Sequence, residues 1–465
     1  MPAQKKTPLT LTSRFEEEES GTLRDVPFEV PKGVDQFRMT ISYNDQIDSI
    51  PTVSGGNTLD IGLFDQQGTE TGGPGFRGWS GSNKLDIVIG KNWSTPPYAA
   101  GAIKPGTWNL LLGAYKVGPN GLDVEVGIDF SPDVKAPGKP VVPDIESLER
   151  ADLPAAGERN WFRGDLHAHS VYSDGSATPA ELVVRAYESG LDFIGITDHN
   201  RAQAPTDLVP TGDDWPVLVP GVEVTTYAGH FNVWGTDTWY DFRDASPEGV
   251  QASIDAANAD GGLVSINHPK PFGPDWAYGR DIKGFKTVEV WNGWWDRLNN
   301  VSLKVWEDAL RRGERIVGVS GSDVHHLDEA STPDNPLSPA RLGWPTLWVQ
   351  AKKPLTAEAI LAAIRAGRCF MSDSPSGPQI YLSREDYAVS ARVVGGSGTA
   401  LALVGASGII ATEAVTSDDQ TWSFAINVLG KGQTYVRAQI HGEHGGFRAL
   451  SNPIWLKDPD PNSGS

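Results

Sequence analysis

The chain gathers its histidines. Seven of its nine, His167, His169, His199, His230, His268, His325 and His326, lie between residues 167 and 326 of 465. Most of them end a short apolar run: FRGDLHAH, LDFIGITDH, GLVSINH and RIVGVSGSDVHH. Imidazoles clustered in sequence and placed at strand ends need a fold that brings those ends to one face. Parallel strands with returning helices do this, because their C-terminal ends share one side of the sheet. A structural role would require seven buried imidazoles with partners at one end of one domain, which is a poor alternative.

The surrounding pattern supports such a layout. From Trp161, apolar strands alternate with helical stretches. TPAELVVRAYESG reads as a helix capped by Thr178, with Pro179 in its first turn and Glu181 completing a capping box. SPEGVQASIDAANADGG starts at Ser246-Pro247 and stops at glycine, VSLKVWEDALRRGE is a third helix, and LTAEAILAAIRAGR is capped at Thr356. PVLVPGVEVTTYAGHFNVWG reads as a strand pair. Repeated βα units of this kind predict a mainly parallel sheet closed into a barrel over residues 161–375.

The flanks differ. Over residues 1–138, FRMTISY, LDIGLFD, LDIVIG, WNLLLGAY and LDVEVGIDF alternate with period two between turn residues, predicting a jelly-roll-like β-sandwich. The first 20 or so residues are polar and read as frayed. Residues 139–160 are rich in proline and charge and read as a linker with a single helical turn. Residues 376–465 return to alternation and predict a smaller C-terminal β-sandwich, with DPDPNSGS as a disordered tail.

Composition narrows the function. Lys plus Arg is 39 and Asp plus Glu is 59, a formal charge of −20, so a nucleic-acid or anionic-membrane binder is not expected. The single cysteine, Cys369, excludes an intrachain disulfide and a thiolate-ligated zinc or iron–sulfur centre, and reads as a packed residue. No run approaches the roughly 18 apolar residues of a membrane span. The polar N-terminus lacks an apolar leader core, so the expectation is cytoplasmic, or secreted if a leader has been removed.

The candidate ligands are all nitrogen and oxygen. His167 and His169 are two apart on a strand and point to one face. Asp174 follows in a loop. Asp198 and His199 end the next strand, Glu223 sits near the end of PGVEV, and His230 returns after a turn. His268, Asp323 and His325 complete the set. Such donors suit Zn, Mn or Fe(II). Eight or nine ligands exceed one tetrahedral site, so two or three divalent ions are expected, supplying a bridging hydroxide at neutral pH. Asp198 reads as a partner orienting an imidazole or as a structural acid. Arg201, Lys270 and Arg341 lie beyond the motif ends and are candidates to grip a substrate anion. His326 reads as a substrate-side or structural residue. Trp291, Trp294 and Trp295 read either as a pocket wall or as packing. His441 and His444 read as surface.

These residues, in order, resemble the PHP (polymerase and histidinol phosphatase) superfamily: HAH at 167–169, SDG at 173–175, TDHN at 197–200, Glu223, His268 and SDVH at 322–325. RGDLHAHS, PGVEVTTYAGHFNVWG and AIRAGRCFMSDSPSGP resemble its carbaryl-hydrolase-like branch. The resemblance implies a distorted (β/α)7 barrel with two or three metals. It implies one site from His167, His169, Glu223 and Asp323, a second from Glu223, His268 and His230, and a third from Asp174, His199 and His325. His230 would be a ligand, or else a proton donor or substrate contact, and with Asp323 is counted among the catalytic residues.

Three divalent ions, less three carboxylates and one hydroxide, leave a local charge of about +2, which favours an anionic ester. The first expectation is therefore a metal-dependent phosphoesterase. The alternative is attack on a carbonyl carbon, as in an aryl carbamate or carboxylic ester. A non-enzymatic binding protein would not need an intact ligand set. The expected partner is a small-molecule ester, with no nucleic acid and no membrane; the oligomeric state is left open.

Overall fold

The computed structural model describes residues 7–50, 53–137, 142–202, 209–271, 275–327, 340–427, 429, 432–443 and 445–456. His444 and the DPDPNSGS tail lie outside the described residues.

The N-terminal strands are β1 (Leu9–Phe15), β2 (Thr22–Val30), β3 (Gln36–Tyr43), β4 (Thr58–Phe64), β5 (Phe76–Gly81), β6 (Asp86–Gly90), β7 (Gly106–Lys116) and β8 (Leu122–Asp129). They form two four-stranded sheets, β1-β8-β3-β6 and β2-β7-β4-β5. Inward residues of both, among them Phe37, Met39, Ile61, Leu63, Trp108 and Val126, share one core, as alternation requires of a sandwich. Residues 1–6 lie outside the described residues, and the expectation of a frayed first 20 or so residues is corrected from Leu9 onward: LTLTSRF pairs with β8 over its whole length. Its alternation is of polar threonine and serine with apolar residues, and only pairing gives it a face to bury.

The central strands are β9 (Trp161–Asp165), β10 (Phe193–Ile196), β11 (Val217–Thr226), β12 (Gly229–Trp234), β13 (Leu263–Ile266), β14 (Thr287–Asn292), β15 (Val317–Gly321), β16 (Thr346–Gln350) and β17 (Cys369–Ser372). β9 to β15 lie side by side in sequence order. A parallel bridge between Ala168 and Val324, just past β9 and β15, joins the two ends of this row into a ring. The helices are α1 (Pro179–Glu188), α2 (Pro247–Ala259), α3 (Asn299–Arg311) and α4 (Ala357–Arg365). Thr178, Ser246 and Thr356 cap α1, α2 and α4 through their side chains, as their sequences predict.

Regular strand–helix alternation is met only in part. β11 and β12 form an antiparallel hairpin, and β12 pairs antiparallel with β13. Among the described residues no helix joins β10 to β11 or β13 to β14. The hairpin needs no helix between β11 and β12, since antiparallel neighbours need only a tight turn.

The C-terminal strands are β18 (Gln379–Arg384), β19 (Ala388–Val394), β20 (Ala400–Gly405), β21 (Gly408–Ala414), β22 (Asp419–Ala425), β23 (Tyr435–His441), β24 (Phe447–Ser451) and β25 (Ile454–Trp455). β18-β19-β22 is a separate sheet. The others continue the central sheet, because β24 pairs with β17 and β16 pairs with β9. The expected independent sandwich is thus half built from a sheet that runs on from the ring. Their shared core joins Val389, Ala391 and Leu403 to Trp348 and Phe370 of the central strands. Cys369 is buried in the neighbouring core of the ring strands, and its thiol is pushed up to about 12 by desolvation.

Candidate metal centre

The ring's backbone pairing continues past its strands and carries the candidate ligands together. His169 N donates to Val324 O, Asp323 N to His167 O, and Thr197 N to Ala168 O, each at 2.9 Å. His199 and Glu223 face each other in a parallel bridge. The register of β11 and β12 sets His230 opposite Thr225, two residues from Glu223 on the same face. His268, Asp323 and the nearby Asn200 have positive φ values of 25°, 56° and 44°. Such backbone is strained for residues with a Cβ, and it is found where geometry is fixed by function.

Glu223 is the hub and has no solvent exposure. Its Oε2 lies 3.5 Å from His167 Nε2, 3.4 Å from His169 Nε2 and 2.8 Å from His199 Nδ1. Its Oε1 lies 3.3 Å from His230 Nδ1 and 3.4 Å from His268 Nε2. Asp323 Oδ1 lies 3.3 Å from His167 Nε2 and 3.0 Å from His169 Nε2. Asp174 Oδ1 lies 3.6 Å from His199 Nε2 and 3.3 Å from His325 Nε2. All nine candidate ligands are therefore in one cluster. Three subsets hold ligand atoms mutually within 4.8 Å: His167, His169 and Asp323; His199, Glu223 and His230; and His169, Asp174, His199 and His325. The division differs from that expected: His169 also reaches the third group, His199 stands with Glu223 and His230 in the second, and the first subset lacks Glu223 and the second His268.

Four of the imidazoles, His167, His169, His199 and His325, have a partner on Nδ1. Glu289 Oε1 is 2.9 Å from His167 Nδ1. Its other oxygen accepts from His268 N and Asn292 Nδ2. Glu289 thus holds the proton on His167 Nδ1 and leaves Nε2 for the cluster. Asp198 acts one step removed. It accepts from Ser170 N and from the Ser170 and Ser173 hydroxyls, and Ser173 Oγ is 3.3 Å from His169 Nδ1. Because the serine proton goes to Asp198, the serine oxygen accepts from His169. Thr225 Oγ1 lies 2.5 Å from His199 Nδ1, and Asn267 Nδ2 donates to Glu223 Oε1 at 2.7 Å. The sequence reading missed Glu289, Ser173, Thr225 and Asn267. Glu289 left a signal: it is the one charged residue in the buried strand TVEVWN.

The electrostatics are those of a compact ion cluster. Burial would raise Glu223 and Asp323, but the surrounding imidazoles hold both carboxyls well below the usual carboxylate range. Burial would lower His325, yet Asp174 beside it pushes the imidazole up to about 10. His169 falls to about 3 through burial and the charges of His325 and His199.

Whether these residues fit metal ions is tested by their unused atoms. His167 Nε2, His169 Nε2, His230 Nδ1, His268 Nδ1 and Glu223 Oε2 are buried without a hydrogen-bond partner among the described residues. Buried polar atoms are rarely left so. Three of these nitrogens, His167 Nε2, His169 Nε2 and His230 Nδ1, face Glu223, whereas His268 presents its Nε2. Three imidazole nitrogens and a carboxylate oxygen are the donor set of a divalent transition metal, and the residues fit.

The other candidates fall outside the cluster. Arg201 is buried, and its Nε and Nη2 donate to Gly221 O. Lys270 is fully buried and donates to Asn292 O and Asn299 Oδ1. Both cations brace loops inside the fold, which corrects the expectation that they reach out to an anion. His326 and Arg341 are exposed, and Arg341 lies over the Trp344 ring. Trp291 packs on Trp295, Trp295 on Phe447 and Trp294 on Trp344, so these rings serve packing.

Residues 165–254 match the profile of a protein family, the PHP domain. The matched segment supplies His167, His169, Asp174, His199, Glu223 and His230. A 5'-3' exoribonuclease of Haemophilus influenzae is 36% identical over 63 residues, 13% of this chain and 23% of that protein. The 5'-3' exoribonuclease Rnm of Escherichia coli is 38% identical over 68 residues, 13% of this chain and 22% of that protein. An error-prone DNA polymerase of Nocardia farcinica is 33% identical over 84 residues, 17% of this chain and 7% of that protein. The match thus spans less than a quarter of each curated relative. A crystal structure of a two-domain protein containing a predicted PHP-like metal-dependent phosphoesterase, from Bacteroides vulgatus, aligns with 67% of this chain and 100% of its own at 19% identity. Its TM-score of 0.37 is too low to bear on the fold. No helix among the described residues is long and apolar enough to cross a membrane.

Proposed function

We propose that this chain is a metal-dependent phosphoesterase with a di- or trinuclear centre around Glu223, carried by a seven-stranded ring of the distorted (β/α)7 type. The observation that carries the reading is the convergence of unpartnered, buried atoms of His167, His169, His230 and Glu223 on one hub. The match of residues 165–254 to the PHP domain supports it. Divalent ions bound there would acidify a water and neutralise charge on a substrate oxygen.

The chain's own residues then have distinct tasks. Glu223 offers one oxygen to each side of the cluster and would hold ions on both. His167, His169 and Asp323 form one group, His230 and His268 take the Glu223 Oε1 side, and Asp174, His199 and His325 form the outer group. Glu289 and the Ser173–Asp198 pair hold the protons of His167 and His169 on Nδ1. The orientation of His230 Nδ1 towards Glu223 favours a ligand role over that of a proton donor.

The carbamate alternative draws on an aromatic pocket, and the nearby tryptophans are engaged in packing. A side-by-side assay separates the two. Mn- or Zn-loaded protein is offered bis(p-nitrophenyl) phosphate, p-nitrophenyl phosphate and 1-naphthyl methylcarbamate, with a chelated control. Chelator-sensitive cleavage of a phosphate ester is expected. Cleavage of the carbamate alone would move the reading to carbonyl chemistry.

A further inference from the structure

The N-terminal sandwich is built into the rim of this centre. Its β4, β5 and β7 share a core with β11, β12 and α2, through Phe64, Trp79 and Leu111 against Val224, Phe231 and Ile254. The contact falls on the hairpin that presents Glu223 and His230. At the turn of that hairpin, Tyr227 donates its hydroxyl to Asp60 Oδ2 of β4 at 2.8 Å. Gly113 of β7 makes room for it: a Cβ there would stand 2.2 Å from the tyrosine oxygen.

The loop between β5 and β6 reaches the centre itself. Asn83 Nδ2 donates to Ser173 O at 3.3 Å, and Ser173 precedes Asp174. Lys84, next in the loop, is half-buried and has Asp174 as its electrostatic partner. It makes no hydrogen bond or ion pair among the described residues. The same corner is where the cluster opens. The Asp174 side chain is 44% exposed, against 28% for His325 and none for Glu223. A substrate therefore enters past Asp174, beside a partly desolvated ammonium.

We propose that Lys84, from the sandwich, is a substrate-binding residue that takes a phosphate oxygen at the mouth of the centre and selects anionic esters. This rests on the hydrolase reading above. A lysine held half out of water without hydrogen bonds gains most from an anion that restores them. The compact ammonium also suits a phosphate that must leave again as product.

Two measurements test it. The first compares wild type, Lys84→Gln and Lys84→Arg on bis(p-nitrophenyl) phosphate and on the neutral p-nitrophenyl acetate. We expect Lys84→Gln to raise KM for the phosphate ester on the order of tenfold or more. Lys84→Arg should restore most of it, and KM for the neutral ester should hold. Equal effects on both esters, or none on either, would overturn the assignment. The second does not need turnover. Amine acylation of the metal-loaded wild type, read by mass spectrometry, should show Lys84 protected by inorganic phosphate. Wild type inert on every ester but with Lys84 protected would sink the hydrolase reading and keep the anion site. Unprotected Lys84 would sink the anion site, whatever the turnover.

Discussion

Glu289 Oε1 lies 2.9 Å from His167 Nδ1, while its second oxygen accepts the backbone amide of His268 at 3.0 Å. One buried carboxylate on β14 thus fixes a side chain on one side of the hub and a backbone on the other. Glu289→Gln turns one acceptor into a donor facing the His268 amide and Asn292. We expect metal affinity to fall about 10–100-fold, with the fold intact by circular dichroism. Chelator-competition titration measures it, and unchanged affinity would remove Glu289 from the account.

Metal binding should release protons. In the metal-free cluster, burial works against protonated His325, but Asp174 holds its proton up to about pH 10. An imidazole must lose that proton to bind a cation. Affinity should therefore rise with pH from about 6.5 towards 10. Calorimetry at pH 7 in buffers of different ionisation enthalpy should show net release. Saturating metal at about 100 times Kd should add about 2.7 kcal/mol of stability per site, visible as a rise in Tm that a chelator reverses.

Asp60 gives a second pH dependence, of opposite origin. Desolvation pushes its carboxyl up to about 7 in the metal-free protein, against an ordinary 3.8. A folded-state pKa above the unfolded value means that the folded state holds the extra proton. Its contribution is fully present below about pH 3.8 and is lost as pH rises to about 7. Asp60→Asn keeps an acceptor for Tyr227 and cannot ionise. Relative to wild type it should gain stability between pH 4 and 7, on the order of a few kcal/mol. Parallel stability curves would contradict the burial of that carboxyl.

Asn452 ties the C-terminal segment to the ring. Its Oδ1 accepts from Gly318 N, and its Nδ2 donates to Gly318 O and Cys369 O. Asn452→Ala strands these buried backbone groups and should cost about 2–4 kcal/mol. Denaturant unfolding measures it; a change below about 0.5 kcal/mol would show the amide to be dispensable.

The ligand cluster was legible because its chemistry is written at strand ends, and apolar runs ending in His or Asp announce themselves. Helix starts at Thr178, Ser246 and Thr356 were legible for a similar local reason. What escaped is non-local. Glu289 sits mid-strand, and nothing nearby in sequence shows that its partner is His167. Arg201 and Lys270 read as candidates to grip an anion because burial of a charge depends on acceptors from distant loops, here Gly221, Asn292 and Asn299. The β17–β24 pairing that fuses the C-terminal strands to the ring is likewise a long-range contact. The role of Asp198 became clear only once Ser173 was seen between it and His169.

The most direct test of the central claim joins metal content to turnover in one variant. Wild type and Glu223→Gln are loaded with Mn or Zn, desalted, and measured for bound metal and for cleavage of bis(p-nitrophenyl) phosphate. The account predicts two or three ions per wild-type chain and chelator-sensitive turnover. In Glu223→Gln it predicts a loss of metal and turnover near background. A variant that keeps its metal and its rate would contradict Glu223 as the hub. A wild type that binds no metal would contradict the proposed centre altogether.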